Sequence, residues 1–156
     1  MIWRLINYLR HDAFENMAID EAIFRETIKN KKQPTIRFYG WQPAAVSIGY
    51  FQDPQKELNL EQCSNLGIDI VRRITGGKAV FHNDEITYCV VAGVGQKSFP
   101  VDISGTYKAV SDCLVQGLSY LGIKANLASD CVRMKDVELK SCCFSAVQKR
   151  VISCRP

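Results

Sequence analysis

One glycine-containing stretch, residues 71–82, constrains the fold of this chain more than any other. Two arginines close an apolar run, a Thr-Gly-Gly turn and a lysine follow, and a second apolar run ends in His82. The pattern predicts a strand, a glycine loop and a second strand, because glycine lacks a Cβ, tolerates positive φ and lets backbone approach a ligand closely. The loop therefore brings Arg72, Arg73 and Lys78 beside backbone that a ligand can reach.

This loop does not match the known phosphate-binding loops. The P-loop requires G-x-x-x-x-G-K-[ST] before a helix, whereas Lys78 precedes Ala79 and a strand-like run. The spacing of the dinucleotide fingerprint G-x-G-x-x-G is absent as well. Two interpretations stay open from the residues alone: a ligand-binding glycine loop, and a β-hairpin with a Gly-Gly turn flanked by solvated charges.

The composition is typical of one soluble globular domain. The 156 residues suffice for a single core, and 47% hydrophobic with 23% charged residues are ordinary values. No apolar run approaches the roughly 20 residues of a membrane span, and residues 1–5 lack the apolar segment of a secretory signal. We therefore expect a single domain, residues 1–156, in the cytoplasm.

The charge of the chain gives little information about its partners. A net charge of +4 permits an acidic partner without requiring one. A nucleic-acid-binding protein would carry a denser basic stripe with interleaved aromatic residues. We therefore expect neither a nucleic-acid partner nor a membrane partner.

The seven cysteines do not follow a metal or disulfide pattern. No C-x-x-C pair occurs and the chain has two histidines, so a zinc site is not expected. Without a secretion signal, a disulfide framework is not expected either. We interpret most of these thiols, Cys89 and Cys113 among them, as small buried hydrophobic residues, and at least one of the others could be chemical.

Hydrophobic periodicity predicts an α+β domain with a mostly antiparallel sheet flanked by helices. One long helix is predicted to begin at a cap on Asn16 and run to about Lys29, and another to begin at a cap on Ser104 and end at Gly122. A short helix is predicted over residues 58–66. The predicted strands cover residues 2–9, 35–39, 45–52, 68–71, 80–81, 86–91, 123–127 and 141–144.

The glycine stretch fits the pattern R-R-x-[ST]-G-G-x-x-V-x-H, through Arg72, Arg73, Thr75, Gly76, Gly77, Val80 and His82. In this pattern the chain resembles the biotin/lipoate protein ligase superfamily, on its octanoyl/lipoyl side. Two flanking segments agree in order: residues 16–22 resemble the first helix of the family, and residues 47–52 resemble the strand before its glycine loop. The resemblance spans about residues 10–146 and implies the biotin/lipoate ligase-like catalytic fold.

Within the superfamily, the chain looks most like the cysteine-dependent octanoyltransferases. The ATP-using lipoate–protein ligases usually have a third glycine where Lys78 stands and an aspartate where Asn83 stands. The transferases carry their nucleophile in a Cys-Phe step after the second large helix, and Cys143-Phe144 is similar in position and context. The resemblance therefore implies Cys143 as the catalytic nucleophile. The related amidotransferases place their cysteine elsewhere.

This resemblance implies transfer of an octanoyl group from octanoyl-acyl carrier protein to a lipoyl-domain lysine. The acceptor would be glycine cleavage system H protein or a 2-oxoacid dehydrogenase E2, and no cofactor or metal is implied. Because an acyl thioester passes to a second thioester with little change in energy, the reaction needs no ATP, and a nearby cation would favour the thiolate. Loop N–H groups would stabilise the oxyanion. The implied substrate-binding residues are Arg72, Arg73, Gly76, Gly77, Lys78, Ala79 and His82.

After Cys143-Phe144 the chain departs from the transferase pattern. The transferases continue with a strand and then a G-[KR]-K-[IV]-x-G-S-A-Q-x-R run, whose lysine is expected to lower the pKa of the cysteine. Here residues 145–150 follow at once, and we do not assign that lysine to Lys149. We expect the C-terminal part of the domain to be missing. Two alternatives stay open: a non-catalytic truncated member that binds lipoyl domains, and an ATP-dependent lipoate–protein ligase.

Overall fold

The computed structural model describes residues 2–30, 33–93, 100, 102–127 and 152–154. The described residues up to 93 belong to one compact unit, and those from 100 onward belong to a second. Among the helices of these described ranges, none combines the length and the apolar character needed to cross a membrane.

The first unit mixes strands and helices along the chain. Its elements are β1 (Arg4–His11), α1 (Ala13–Asn30), β2 (Thr35–Trp41), β3 (Ala45–Ile48), α2 (Pro54–Glu57), α3 (Leu60–Asn65), β4 (Asp69–Arg72), β5 (Val80–His82) and β6 (Thr87–Val91). They form two three-stranded sheets, in the orders β1-β2-β6 and β4-β3-β5. Each central strand pairs in parallel with one neighbour and antiparallel with the other. The α+β class is confirmed, and both sheets are mixed.

Helix α1 packs against strands of both sheets, β2 and β6 in one and β3 and β4 in the other. This packing buries a core cluster consisting of Ala13, Tyr39, Trp41, Ala45 and Val71. A second cluster contains Val46, Ile48 and Ala79, with Leu58 and Ile68 packed against it. Side chains alternate between the two faces of a strand, so β3 contributes to both clusters and is buried throughout.

The start of α1 differs from the prediction. The helix begins at Ala13, and the Asp12 carboxylate accepts a hydrogen bond from the Glu15 N–H at 2.7 Å, as an N-cap does. The predicted cap at Asn16 is therefore wrong. Asn16 is fully buried inside the helix, and its amide donates to the carbonyl oxygen of Gly40 at 3.0 Å. Tertiary partners hold this polar side chain within the helix.

A buried ionic cluster joins α1 to β2. Arg37 is 2% exposed and donates to Asp20 Oδ1 at 2.7 Å and to Asn16 Oδ1 at 2.6 Å. The hydroxyl of Tyr39 donates to Asp20 Oδ2 at 2.8 Å. Burial, reinforced by Asp20, raises the pKa of the Tyr39 hydroxyl and raises that of the Cys89 thiol to about 12, so both groups stay protonated. In residues 16–22, Asn16 and Asp20 therefore have a structural role.

The second unit contains α4 (Ile103–Tyr120) and an antiparallel pair of strands, β7 (Ala125–Leu127) and β8 (Ile152–Cys154). The N-cap of α4 is Asp102, whose carboxylate accepts from the Gly105 N–H at 2.7 Å, so the predicted cap at Ser104 is wrong. Strand β8 was not predicted from the sequence. The loop predicted over 128–140 and the strand predicted over 141–144 lie outside the described residues.

The described cysteines differ in their exposure. Cys63, Cys89 and Cys113 are free thiols; the first two are half-buried and Cys113 is exposed. The interpretation of Cys113 as a buried hydrophobic residue is therefore wrong. Helical spacing placed Cys113 on an apolar face, but in α4 the buried residue is Ser111.

Candidate functional site

The glycine loop, residues 73–79, connects β4 to β5 across the end of β3. Strands β4 and β5 do not pair with each other, because β3 lies between them. The hairpin interpretation of the loop is therefore wrong. Two backbone hydrogen bonds fix the loop to the end of β3. The Arg73 N–H donates to the Ile48 carbonyl oxygen at 3.0 Å, and the Tyr50 N–H donates to the Thr75 carbonyl oxygen at 2.9 Å.

Two glycines make this crossing possible. Gly77 has φ +99°, in the left-handed region that favours glycine. Gly49 packs so closely against it that a Cβ on Gly49 would lie 1.9 Å from the carbonyl oxygen of Gly77. A Cβ on Gly76, in contrast, would meet no atom within 4 Å. The sequence singled out Gly76 and Gly77 together, whereas the geometry makes Gly77 and Gly49 the constrained pair.

Arg72 binds the chain that follows β3. Its NH1 donates to the carbonyl oxygens of Gly49, Tyr50 and Gln52, at 3.0, 2.7 and 2.7 Å. Three acceptors converging on one guanidinium nitrogen fix the turn beneath the glycine loop. We conclude that Arg72 shapes the backbone on which the loop rests.

Arg73 folds back onto its own loop. Its NH2 donates to the carbonyl oxygens of Gly76 at 3.0 Å and Lys78 at 2.7 Å. The Gly76–Gly77 peptide is trans and planar, so the Gly77 N–H points to the side opposite the Gly76 carbonyl. Gly76 and Gly77 are both exposed, so this peptide can be reached from solvent. Arg73 therefore holds two carbonyl oxygens of the loop in place.

Two further residues of the predicted site, Lys78 and Ala79, differ in their burial. Ala79 is buried in the cluster with Val46 and Ile48, where it contributes to packing. Lys78 is half-buried, and its carbonyl oxygen is one of the groups that Arg73 binds.

His82 is the last residue of β5, the strand that follows the loop, and its side chain is 8% exposed. Its Nε2 lies 2.8 Å from Ser47 Oγ, and its Nδ1 lies 2.5 Å from Glu85 Oε1. The ring stacks on Trp41 with the ring centres 4.0 Å apart. Burial lowers the pKa of His82 and the nearby Arg73 lowers it further, while Glu85 opposes them. His82 was expected among the polar groups lining the loop; its ring is buried and contacts Ser47, Glu85 and Trp41.

Sequence reasoning missed Ser47, Glu85 and Trp41 as neighbours of His82. Glu85 stands three residues after His82, in a turn that looked purely connective. Ser47 and His82 come from β3 and β5, and the register that brings them together pairs Ala45 with His82. No local pattern in the sequence carries that register.

Cys143, the predicted nucleophile, lies outside the described residues, so its role stays a prediction. Within the ranges that the structure describes, no group of three or more His, Cys, Asp or Glu side chains could hold a metal ion.

Residues 12–154 match the family model of the lipoyl protein ligase A/B catalytic domain. The chain is 41% identical over 144 residues to octanoyltransferase LipM of Clostridioides difficile, covering 92% of this chain and 53% of that protein. It is 41% identical over 155 residues to octanoyltransferase LipM of Moorella thermoacetica, covering 97% of this chain and 56% of that protein. The chain thus spans about half the length of these curated relatives.

Solved structures of related proteins share the fold. A lipoate-protein ligase A bound with ATP superposes with a TM-score of 0.69 at 31% identity, over 81% of this chain and 49% of that one. A bipartite lipoate protein ligase from Thermoplasma acidophilum, described with its E2 lipoyl domain, gives a TM-score of 0.67 at 32% identity, over 81% and 48% of the two chains. The chain belongs to the lipoyl protein ligase A/B catalytic domain family.

Proposed function

We propose that this chain transfers an octanoyl group from octanoyl-acyl carrier protein to the lysine of a lipoyl domain. The observation that carries the proposal is the similarity, over nearly the whole chain, to relatives named octanoyltransferase LipM. The transfer would proceed through a thioester on Cys143. The carrier-protein thioester supplies an activated acyl group, so the reaction requires neither ATP nor another cofactor.

The glycine loop supports this proposal through its backbone. Acyl transfer develops negative charge on the carbonyl oxygen, and N–H donors held in place before the reaction stabilise that charge. In our proposal the Gly77 N–H is such a donor, and Arg73 holds the carbonyl oxygen of the same peptide. In the proposed mechanism, Arg73 thus acts on the loop backbone and Gly77 acts on the acyl group. Gly76 and Lys78 complete the loop that the acyl carbonyl would contact, and Arg72 holds the turn beneath it.

The acceptor in this proposal is the lysine of a lipoyl domain, on glycine cleavage system H protein or a 2-oxoacid dehydrogenase E2. It is supported by the Thermoplasma acidophilum ligase, a structural relative that was studied together with its E2 lipoyl domain. We expect the reaction to occur in the cytoplasm. No nucleic-acid or membrane partner enters the reaction.

A second candidate function is ATP-dependent lipoate ligation. It is favoured by one observation, the structural similarity to a lipoate-protein ligase A that binds ATP. In that reaction a free acid would be activated as an adenylate, and Cys143 would be dispensable. Dependence on ATP and dependence on Cys143 therefore separate the two candidates.

Cys143 is expected to form an octanoyl thioester when the chain is mixed with octanoyl-acyl carrier protein without ATP. Intact-protein mass spectrometry should show one added octanoyl unit, which hydroxylamine removes. The Cys143→Ser variant should show none, because an alcohol is a far weaker nucleophile than a thiolate. Cys142→Ser, a change of the neighbouring thiol, serves as the matched control and should be acylated like the parent. Acylation that persists in Cys143→Ser and is lost in Cys142→Ser would refute this assignment.

A further inference from the structure

We propose that Glu85 is a positioning residue for the glycine loop, acting through His82, Ser47 and Arg73. The inference deepens the proposed function and rests on it for the meaning of the loop. In the described part of the chain, Glu85 contacts no residue of the glycine loop directly. Its effect passes through the side chains of His82, Ser47 and Arg73.

The four side chains form one continuous line of hydrogen bonds. Glu85 Oε1 lies 2.5 Å from His82 Nδ1, and His82 Nε2 lies 2.8 Å from Ser47 Oγ. Arg73 NH1 donates to the same Ser47 Oγ at 3.2 Å and to the Ser47 carbonyl oxygen at 2.9 Å. Through NH2, Arg73 also donates to the carbonyl oxygens of Gly76 and Lys78. The line thus runs from the turn after β5 to the glycine loop.

The protons along this line have a single consistent direction. A guanidinium can only donate, so Ser47 Oγ accepts from Arg73 and its own hydrogen is free to bond to His82 Nε2. A neutral imidazole that accepts at Nε2 carries its proton on Nδ1. That proton meets the Glu85 carboxylate, which only accepts. Each donor in the line therefore faces an acceptor: Arg73 donates to Ser47, Ser47 to His82, and His82 to Glu85.

Glu85 is itself held in place by two further residues. The Thr87 hydroxyl donates to Glu85 Oε1 at 2.8 Å, and Trp41 Nε1 donates to the Thr87 hydroxyl oxygen at 2.8 Å. The indole of the same Trp41 stacks on the His82 ring. Trp41 thus holds the imidazole of His82 by stacking and holds the carboxylate of Glu85 through Thr87. Both groups are therefore restrained in their present orientation.

The protonation state of His82 agrees with this direction. Burial and Arg73 lower its pKa, Glu85 opposes them, and the net shift is downward, so the ring is neutral at pH 7. Arg73 and Glu85 are the charged groups whose interactions with the imidazole are described. A proton added at Nε2 would place a second donor against Ser47 Oγ, and the Ser47 hydroxyl would lose its acceptor. Ser47 Oγ can accept this second bond through its other lone pair, so acidification is expected to reverse the hydrogen bond between Ser47 and His82.

Nuclear magnetic resonance on the nitrogen-15-labelled chain tests the proposal without an activity assay. At pH 7 His82 should show a protonated Nδ1 and an unprotonated Nε2. Glu85→Ala should abolish this single tautomer and move the amide resonances of Gly76 and Gly77. Glu85→Gln should preserve both, because its amide oxygen accepts the Nδ1 proton. Asp84→Ala, an exposed carboxylate in the same turn, is the matched control and should change neither.

Two results would overturn the proposal. The first is a Glu85→Ala protein whose His82 tautomer and glycine amides match those of the parent. The second is a Glu85→Gln protein as perturbed as Glu85→Ala. If Glu85→Ala does not fold, Ser47→Ala decides, because it separates His82 from Arg73 and leaves the Glu85 contact intact. It should move the Gly76 and Gly77 resonances, and unmoved resonances would overturn the proposal.

Single-turnover acylation of the chain by octanoyl-acyl carrier protein supplies the functional readout. Glu85→Ala should slow acylation about 10- to 100-fold, the scale of loss expected when a reacting geometry is misplaced by about an ångström. Glu85→Gln and Asp84→Ala should stay close to the parent rate. A rate loss in Glu85→Gln equal to that in Glu85→Ala would contradict the positioning role. A parent chain that is never acylated would refute the proposed function, and the resonance experiment would still decide the role of Glu85.

Discussion

Replacing Gly49 with alanine is expected to displace the glycine loop and to reduce thioester formation at least about 100-fold. The new Cβ would lie 1.9 Å from the carbonyl oxygen of Gly77. Both sides of this contact are backbone, so no side-chain rotation can relieve it, and the loop must move by more than an ångström. The movement would stretch the hydrogen bond from Tyr50 to Thr75. We expect an overpacking cost of about 1–3 kcal/mol in the free energy of unfolding.

Gly117→Ala provides the matched control for Gly49→Ala. Gly117 lies inside α4, and a Cβ there would meet no atom within 4 Å outside the local helix backbone. Alanine should leave acylation unchanged and stabilise the helix by up to about 1 kcal/mol, because glycine is the poorer helix former. Thermal unfolding and intact-mass acylation of both variants measure the difference. A Gly49→Ala protein as active and stable as Gly117→Ala would show that the two backbones do not meet as described.

Asp20→Ala is expected to destabilise the first unit by about 3–5 kcal/mol. Arg37 is 2% exposed, and removal of the carboxylate would leave its charge buried beside the hydroxyl of Tyr39. The hydrogen bonds from Arg37 to Asn16 would remain, but the desolvation cost of the guanidinium would no longer be offset by a charged partner. Urea unfolding, followed by the fluorescence of the buried Trp41, should show a marked fall in the midpoint.

The adjacent residue on the same helix supplies the control for Asp20→Ala. Glu21 pairs with Arg25, one turn further along; the Arg25 side chain is 76% exposed and that of Glu21 is 40% exposed. Because solvent screens such a pair, Glu21→Ala should cost about 0.5 kcal/mol or less. Equal shifts in Asp20→Ala and Glu21→Ala would contradict the account of the buried cluster.

The long helices could be predicted because their signals are local, whereas their caps could not. Apolar spacing located α1 and α4, and Gly122 follows the end of α4. Asn16 looked like a cap because asparagine favours that position, but its partner Arg37 stands 21 residues away. A residue whose conformation is set by a distant charge gives no local sign of it.

The strand-loop-strand pattern of residues 71–82 was predicted correctly in its parts, and of the two interpretations left open the hairpin is wrong. Glycine and charge placed the loop between β4 and β5, but the position of β3 between these strands depends on long-range hydrogen bonds. The same long-range register turned His82 inward, beside Ser47. The family resemblance is confirmed, while the roles of the site residues stay predictions.

The central claim, octanoyl transfer by this chain, is tested most directly by the mass of a lipoyl-domain acceptor. The acceptor is mixed with the chain and octanoyl-acyl carrier protein without ATP, and in a parallel reaction with free octanoate and ATP. The account predicts one octanoyl unit on the acceptor lysine in the first mixture, none in the second, and none in the first with Cys143→Ser. An acceptor modified in the second mixture alone would contradict the account and establish a ligase. An acceptor modified in neither, by a folded chain, would leave the chain as a non-catalytic member of the family.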